Sequence, residues 1–170
     1  MSHTMHRRTV LAFLAGAGLL VATPLWAQTK KDDIDVADLP ADVRNVLEQY
    51  AGLLRASKDL AACASAFLAI AGGGLVNEDG SKLRSTVMGF GLKKDFENVK
   101  FYADPVRITR VAKLPPVTSG FGSSAITGPS FKIWIAKKEG AGGLPAPTTI
   151  LVPEGHKTIK APKVITIGSL

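Results

Sequence analysis

Residues 41–71 read ADVRNVLEQYAGLLRASKDLAACASAFLAIA, and this stretch decides the fold because it contains two helical patterns placed almost end to end. In the first pattern, apolar residues recur at the i, i+3, i+4, i+7 spacing that lines one side of a helix. These residues are Val43, Val46, Leu47, Tyr50, Leu53 and Leu54. The charged residues fall off this stripe, so we expect a surface helix whose apolar side needs a partner from the rest of the chain.

The second pattern, residues 60–71, is apolar on nearly every face and is followed by three glycines at 72–74, which suit a helix end. Pro40 occupies a favoured helix start, with Asp38 positioned to cap the first helix. The uncharged run over residues 60–76 fits a short membrane segment, a helix buried all round, or a close-packed helix. We favour burial, because the run is short for a span and Ala and Gly contribute little transfer energy.

Residues 1–27 have the features of a signal peptide. A short basic region ends in Arg7 and Arg8, an apolar run covers residues 10–22, and a small-residue cleavage site ends at Ala27. The sequence therefore predicts export, with a periplasmic or secreted location. The arginine pair resembles a twin-arginine translocation signal, while a general secretory signal with two arginines gives the same pattern. The apolar run is shorter than the roughly 20 residues that span a bilayer, so no transmembrane segment is expected after cleavage.

Cleavage after Ala27 leaves residues 28–170, the usual size of one domain with its own core. Residues 28–39 are rich in charge and predict a flexible lead-in, and residues 40–170 predict a single domain. The carboxylates of the lead-in do not have the spacing of an EF-hand loop. We therefore predict a solvated terminus at 28–39 and no metal site there.

The remaining chain has one cysteine, Cys63, and one histidine, His156. No internal disulfide and no His/Cys zinc cluster can form, and no cofactor is predicted. Cys63 is flanked by alanines, an environment that raises the pKa of a thiol, and as a nucleophile it could pair only with His156.

Charge is unevenly distributed along the chain. Residues 28–81 contain five basic and nine acidic residues, and residues 82–170 contain fourteen basic and five acidic residues. The basic half fits an anion, a lipid head group or an envelope polymer as partner; alternatively, acidic helices cover a basic sheet or the lysines form a solvated face. We favour the second interpretation. Nucleic acid is disfavoured, because the lysine pairs lack interleaved aromatic residues and the chain is predicted to be exported.

After residue 80 the period changes from helical to alternating, which predicts strands. Apolar residues alternate with polar ones around 98–102, 106–109 and 131–135, and β-branched runs cover 148–152 and 164–167. Asp104-Pro105 predicts an edge, bulge or bend, because proline cannot donate to a ladder. Residues 114–129 and 140–147 predict glycine-rich loops. For the first we favour a hairpin over a lid, and it lacks the lysine and serine of a phosphate-binding loop.

Helices followed by strands predict an α+β fold in which N-terminal helices pack on a curved antiparallel sheet of about four to six strands. Over residues 40–170 this order, with the Ala/Phe-rich second helix and glycine-rich turn, resembles the cystatin-like cone of the NTF2-like superfamily. The resemblance implies either an enzyme or a non-catalytic binding or assembly module. For an enzyme it implies a His or Asp base in the cone. Here His156 lies in a turn pattern and Asp95 in a polar stretch, and we expect neither to be buried enough for a tuned pKa.

We therefore expect an exported, non-catalytic binding or assembly module for a small apolar or anionic molecule or an envelope protein, with homo-oligomerisation open. The alternative is a small isomerase or dehydratase of NTF2-like type that uses His156 or a carboxylate as base. Trp134 projects with Lys132 from the face opposite Phe131 and Ile133, which fits either a contact site or ordinary packing. The predicted binding residues are Tyr102, Arg110 and Trp134.

The twin-arginine interpretation is tested by changing Arg7→Lys and Arg8→Lys together. If the twin-arginine interpretation is right, the double variant should stay in the cytoplasm, because the arginine pair is the feature that marks this signal. Immunoblotting of periplasmic and cytoplasmic fractions measures the effect. Export at the level of the unchanged protein would rule out the twin-arginine route, and mass spectrometry of the exported form locates the cleavage site separately.

Overall fold

The computed structural model describes residues 32–168 and residue 170; the predicted signal peptide and residues 28–31 of the predicted lead-in lie outside the described residues. Three α-helices and a five-stranded antiparallel sheet make up the fold, which confirms the predicted α+β class with a curved sheet. The helices are α1 Ala41–Ala56, α2 Leu60–Phe67 and α3 Lys93–Asn98. The strands are β1 Asp33–Ile34, β2 Ile108–Ser119, β3 Ile126–Ile135, β4 Pro147–Leu151 and β5 Lys163–Thr166, in the spatial order β1-β2-β3-β4-β5.

Part of the predicted lead-in belongs to the sheet. Asp33 pairs with Ala112 of β2, and residues 36–38 form a 3-10 turn that Asp35 caps by accepting a hydrogen bond from the Ala37 amide at 2.8 Å. Residues 33 and 34 are therefore part of the sheet and residues 36–38 form a local turn, whereas their charge predicts a flexible segment.

The apolar stripe of α1 faces the core, as predicted. Its members are buried apart from Leu53, which is partly buried. Tyr50 meets Phe67 of α2, with ring centroids 5.1 Å apart. Asp38 lies inside the 3-10 turn and does not cap α1, whose N-cap is Pro40 without a side-chain hydrogen bond.

The second helix is shorter than its apolar run. It starts at Leu60 and ends at Phe67, after which the chain turns toward the glycines. Asp59 is its N-cap, and the Asp59 carboxylate accepts a hydrogen bond from the Ala62 amide at 2.8 Å. Cys63, Ala64 and Phe67 are buried, but Ala61 and Ser65 are exposed. The helix therefore turns one face to the core and is not buried all round, which corrects the interpretation favoured from the sequence. Among residues 32–168 and 170, no helix has the length and apolarity to cross a bilayer.

The strand predicted at 98–102 is wrong, because this part of the chain is helical. Residues 87–92 form a π-helical segment, α3 follows it directly, and residues 99–101 form a 3-10 turn. The buried residues are Val87, Leu92, Asp95 and Val99. The first two of these buried residues, Val87 and Leu92, are five positions apart because a π-helical turn is wider than an α-helical one. This wider spacing hides the usual helical pattern in the sequence.

The alternation in β3 assigns its two faces as predicted. Ile133 pairs with Val111 of β2 and Thr148 of β4, and this face meets the helices. Lys132 and Trp134 project from the other face, which we call the outer face. Pairing across three strands therefore fixes which side chains the helices cover.

The glycine-rich stretch 114–129 is a hairpin, as favoured. β2 and β3 extend into it and leave a turn over residues 120–125, where Gly120 and Gly122 have φ of 91° and 61°. Residues 140–146 form the predicted loop between β3 and β4. Asp104-Pro105 lies in the bend before β2 and does not interrupt a strand.

Replacing Leu54 by alanine should lower the free energy of unfolding by about 2 to 5 kcal/mol, since a buried leucine loses transfer energy and leaves a cavity. Leu54 is 2% exposed. Leu53→Ala, one residue earlier on the same helix and only partly buried, is the matched control and should cost clearly less. Urea unfolding measures both values. A cost below about 0.5 kcal/mol for Leu54→Ala would contradict the packing of α1 against the sheet.

Candidate functional site

The structure brings together two of the three predicted binding residues. The Arg110 guanidinium lies over the Trp134 ring, 4.4 Å from its centroid, on the outer face. Tyr102 lies elsewhere, buried beside the end of β3, where it forms a bridge with Lys137. The predicted residues thus belong to two different places on the fold.

On the outer face, the Arg110–Trp134 pair has a structural partner. Arg110 donates two hydrogen bonds of 2.9 and 3.0 Å to one oxygen of Asp33 and a third of 3.0 Å to the other. A two-pronged arginine–carboxylate contact of this kind is stronger and more directional than a single bond. The three side chains tie β1, β2 and β3 together, so the guanidinium and the Trp134 ring are already engaged with the protein.

Tyr102 borders a surface hollow of about 400 Å³, which we call the lysine hollow. α3 and the 3-10 turn form one side of it, the β3–β4 loop forms another, and the end of the described chain closes it. The lining residues are Lys94, Asn98, Phe101, Tyr102, Lys137, Gly142, Leu144, Ala146 and Leu170. The volume falls within the range of small-molecule sites, about 300 to 1,000 Å³.

Cationic groups dominate the electrostatics of the hollow. Lys94 donates to the Gly168 carbonyl at 2.9 Å, and Lys137 donates to the Gly142 carbonyl at 2.6 Å while lying 5.5 Å from the Tyr102 ring centroid. An ammonium has three N–H donors, so each keeps donors for a further acceptor. No Asp or Glu side chain is among the described lining residues. The hollow therefore favours an anion.

Apolar side chains stand at the rim beside these ammonium groups. Leu144, in the β3–β4 loop, is 89% exposed, and Phe101, in the 3-10 turn, is 45% exposed. Large apolar groups this exposed mark contact surfaces when they are grouped. Here both side chains border the same hollow, so its rim combines apolar area with positive charge.

Tyr102 forms part of the floor of the hollow. Burial raises the pKa of its phenol, the nearby Asp95 carboxylate acts in the same direction, and a hydrogen bond with the Ala146 backbone opposes them. The hydroxyl therefore stays protonated near neutral pH, and Tyr102 contributes a neutral aromatic surface.

Asp95 corrects an expectation, because this residue of a polar stretch is fully buried. Its carboxylate accepts hydrogen bonds from the Tyr50 hydroxyl at 2.6 Å and from the Gly168 and Leu170 amides at 2.8 Å each. Burial raises the pKa of Asp95, although these bonds and nearby Lys94 act in the opposite direction. Burial and the Asp95 carboxylate also raise the pKa of Tyr50 well above its ordinary value.

This contact builds one wall of the hollow. Asn98 adds a hydrogen bond of 3.0 Å to the Leu170 carbonyl, so α3 holds Leu170 at both backbone polar groups. Gly168 has a φ of 89° and approaches the π-helical segment closely: a Cβ there would lie 3.1 Å from the Gly91 Cα. Sequence spacing gives no signal for Asp95, since its partners lie 45 and 73 to 75 residues away.

The His156 side chain connects two loops through hydrogen bonds to their backbone. Its Nδ1 accepts hydrogen bonds from the Ile159 amide at 2.8 Å and the Thr158 amide at 3.2 Å, so Nε2 carries the proton and donates to the Ser123 carbonyl at 3.1 Å. Both ring nitrogens are engaged with backbone. A general base needs a nitrogen within reach of a substrate proton, and this arrangement leaves none.

Two further groups have altered pKa values without the surroundings of a reactive site. Burial raises the pKa of the Cys63 thiol, which lowers the fraction present as the nucleophilic thiolate. Burial lowers the pKa of Lys163, whose ammonium donates to the Ala69 carbonyl at 2.6 Å. Among the described residues, no three His, Cys, Asp or Glu side chains are grouped so that they could hold a metal ion.

The raised pKa of Asp95 predicts that this residue stabilises the fold less as the pH rises, the opposite of a carboxyl group whose pKa is lowered on folding. An acid with a raised folded-state pKa stabilises the fold fully below its unfolded pKa, about 3.9, and loses that stabilisation as pH rises through the folded value. We expect the free energy of unfolding, relative to Asp95→Asn, to fall as pH rises above about 4 and then to level off. Urea unfolding of both proteins between pH 4 and 8 measures this difference. A difference that is constant with pH would contradict the raised pKa.

No protein-family model, curated protein or solved structure matches this chain. The resemblance to the NTF2-like superfamily therefore stays a prediction from element order.

Proposed function

We propose that this chain is an exported, non-catalytic binding module of the cell envelope that takes an anionic amphiphile in the lysine hollow. The acidic head of such a molecule, a carboxylate or phosphate, contacts Lys94 and Lys137, and its apolar part lies against Leu144 and Phe101. One observation carries the proposal: two ammonium groups and exposed apolar side chains border the same hollow, with no carboxylate side chain among its described lining residues.

The energies indicate how such a ligand divides its affinity. An exposed ion pair contributes about 0 to 1 kcal/mol, and each buried methylene group about 0.8 kcal/mol. The apolar part therefore supplies most of the affinity, while the two lysines select the charge. A short polar anion should bind weakly, and a neutral amphiphile should bind less tightly than an anionic one.

The enzymatic alternative has less support from the site. His156 uses both ring nitrogens on backbone groups. Asp95 has a raised pKa, but its oxygens are occupied by Tyr50 and two backbone amides inside the core. Neither side chain is available to a substrate proton, so we favour binding over catalysis.

The proposal is tested by calorimetric titration with dodecyl phosphate below its critical micelle concentration, with inorganic phosphate and dodecyl maltoside as comparison ligands. Binding should follow the order dodecyl phosphate, dodecyl maltoside, phosphate. Lys94→Gln with Lys137→Gln should weaken dodecyl phosphate binding about three- to tenfold, since two exposed ion pairs are lost.

The matched control is Lys132→Gln with Lys157→Gln, which removes the same charge from the outer face and from the loop of His156. This control should bind dodecyl phosphate as the unchanged protein does. Equal weakening in both double variants, or no preference for the anionic over the neutral amphiphile, would refute the proposal. Thermal unfolding verifies that both double variants are folded.

A further inference from the structure

Positive charge extends from the lysine hollow onto the surface around it. The Lys100 ammonium lies 5.2 Å from the centroid of the Phe101 ring. The Lys138 amide donates to the Phe101 carbonyl at 2.9 Å, so the backbone of this exposed lysine lies beside Phe101. Neither Lys100 nor Lys138 lines the hollow among the described residues. Together with the lining lysines they lie in the segments that carry the exposed Phe101 and Leu144.

Fewer acidic side chains than lysines lie near this rim, and one of the acidic side chains is buried. Asp95 is buried and accepts three hydrogen bonds. Glu97 and Glu139 are exposed, but neither is among the described residues that line the hollow. The lysines named above therefore outnumber the exposed carboxylates of the adjoining segments, and the rim has a net positive charge.

We propose that this rim docks on an anionic lipid bilayer, with Leu144 and Phe101 entering the interface and Lys94, Lys100, Lys137 and Lys138 contacting head groups. Exposed apolar side chains beside several lysines match the two parts of such a bilayer, since apolar groups partition into the acyl boundary and cations are attracted to anionic head groups. The inference rests on the proposed function to the extent that the hollow and the docking surface share Lys94 and Lys137.

Another exposed aromatic residue, Phe121, lacks the combination of apolar area and neighbouring lysines that the rim of the lysine hollow has. Phe121, in the β2–β3 turn, is 66% exposed. It borders a smaller hollow with Glu78 and Arg84, and no lysine is among the described lining residues there. Phe121 is thus an exposed aromatic side chain whose hollow has no lysine among its described lining residues, so it is a matched control for Phe101 and Leu144.

The expected effects follow from each kind of contact. A lysine near an anionic surface contributes about fivefold to binding at low salt. An apolar side chain that leaves water contributes about tenfold or more. Binding should therefore be reversible, should weaken as salt screens the lysines, and should require anionic lipid.

The test is co-sedimentation with vesicles of phosphatidylglycerol and phosphatidylcholine in equal parts, compared with pure phosphatidylcholine, at low and high salt. The unchanged protein and all variants are purified from the exported fraction, so that they have the same amino terminus. Leu144→Ser with Phe101→Ser should bind the anionic vesicles at least tenfold more weakly, and Lys100→Gln with Lys138→Gln at least fivefold more weakly. Phe121→Ser should bind as the unchanged protein does. Circular dichroism and thermal unfolding check that each variant is folded.

The lysine variant also separates this inference from the proposed function. Lys100→Gln with Lys138→Gln should leave the calorimetric affinity for dodecyl phosphate unchanged, because these residues do not line the hollow. Unchanged protein that binds dodecyl phosphate but not anionic vesicles would overturn the docking inference alone. Protein that binds the vesicles but not dodecyl phosphate would overturn the proposed function alone. Equal binding to both kinds of vesicle, equal loss in Phe121→Ser, or self-association through the rim in place of vesicle binding would also overturn the docking inference.

Discussion

The hydrogen bonds accepted by the buried Asp95 carboxylate hold together parts of the chain that pairing within the sheet does not connect. Tyr50 brings α1 to this group, and the amides of Gly168 and Leu170 bring the segment after β5. Gly168 and Leu170 are thereby held beside α3, where Leu170 lines the lysine hollow. The site on the surface thus depends on a polar contact in the core.

A carboxylate in this position costs free energy, because burial favours its neutral form more strongly than its partners favour the charge. Replacing one partner would leave an uncompensated polar group inside, which costs more than the net gain of a typical hydrogen bond. Such contacts therefore specify a unique arrangement more than they add stability. Here the arrangement specified is the position of Gly168 and Leu170 beside Lys94 and Asn98.

Local periodicity predicted the elements in which one face is buried and the spacing is regular. The stripe of α1 and the alternation in β3 are of this kind, and the glycines at 120 and 122 gave the hairpin. Periodicity failed between residues 87 and 101, where a π-helical segment displaces the buried positions and two glycines dilute the pattern. It paired Tyr102 with Arg110 and Trp134 because all three appeared to lie in neighbouring strands. Tyr102 instead follows a 3-10 turn, and only contacts between distant segments place it at the hollow.

The uneven charge of the sequence has a counterpart in the surface of the fold. Two ion pairs are present among the described residues, Arg110 with Asp33 and Arg55 with Asp104. Both use arginine, so among the described residues no direct ion pair joins the acidic helices to the lysines of the basic half. The favoured interpretation allowed either acidic helices over a basic sheet or a solvated lysine face, and the absence of such pairs fits the second. Lys94 and Lys137 donate to backbone carbonyls, which orients an ammonium without cancelling its charge. The positive charge of these lysines therefore stays at the surface, beside the exposed apolar side chains of Phe101 and Leu144.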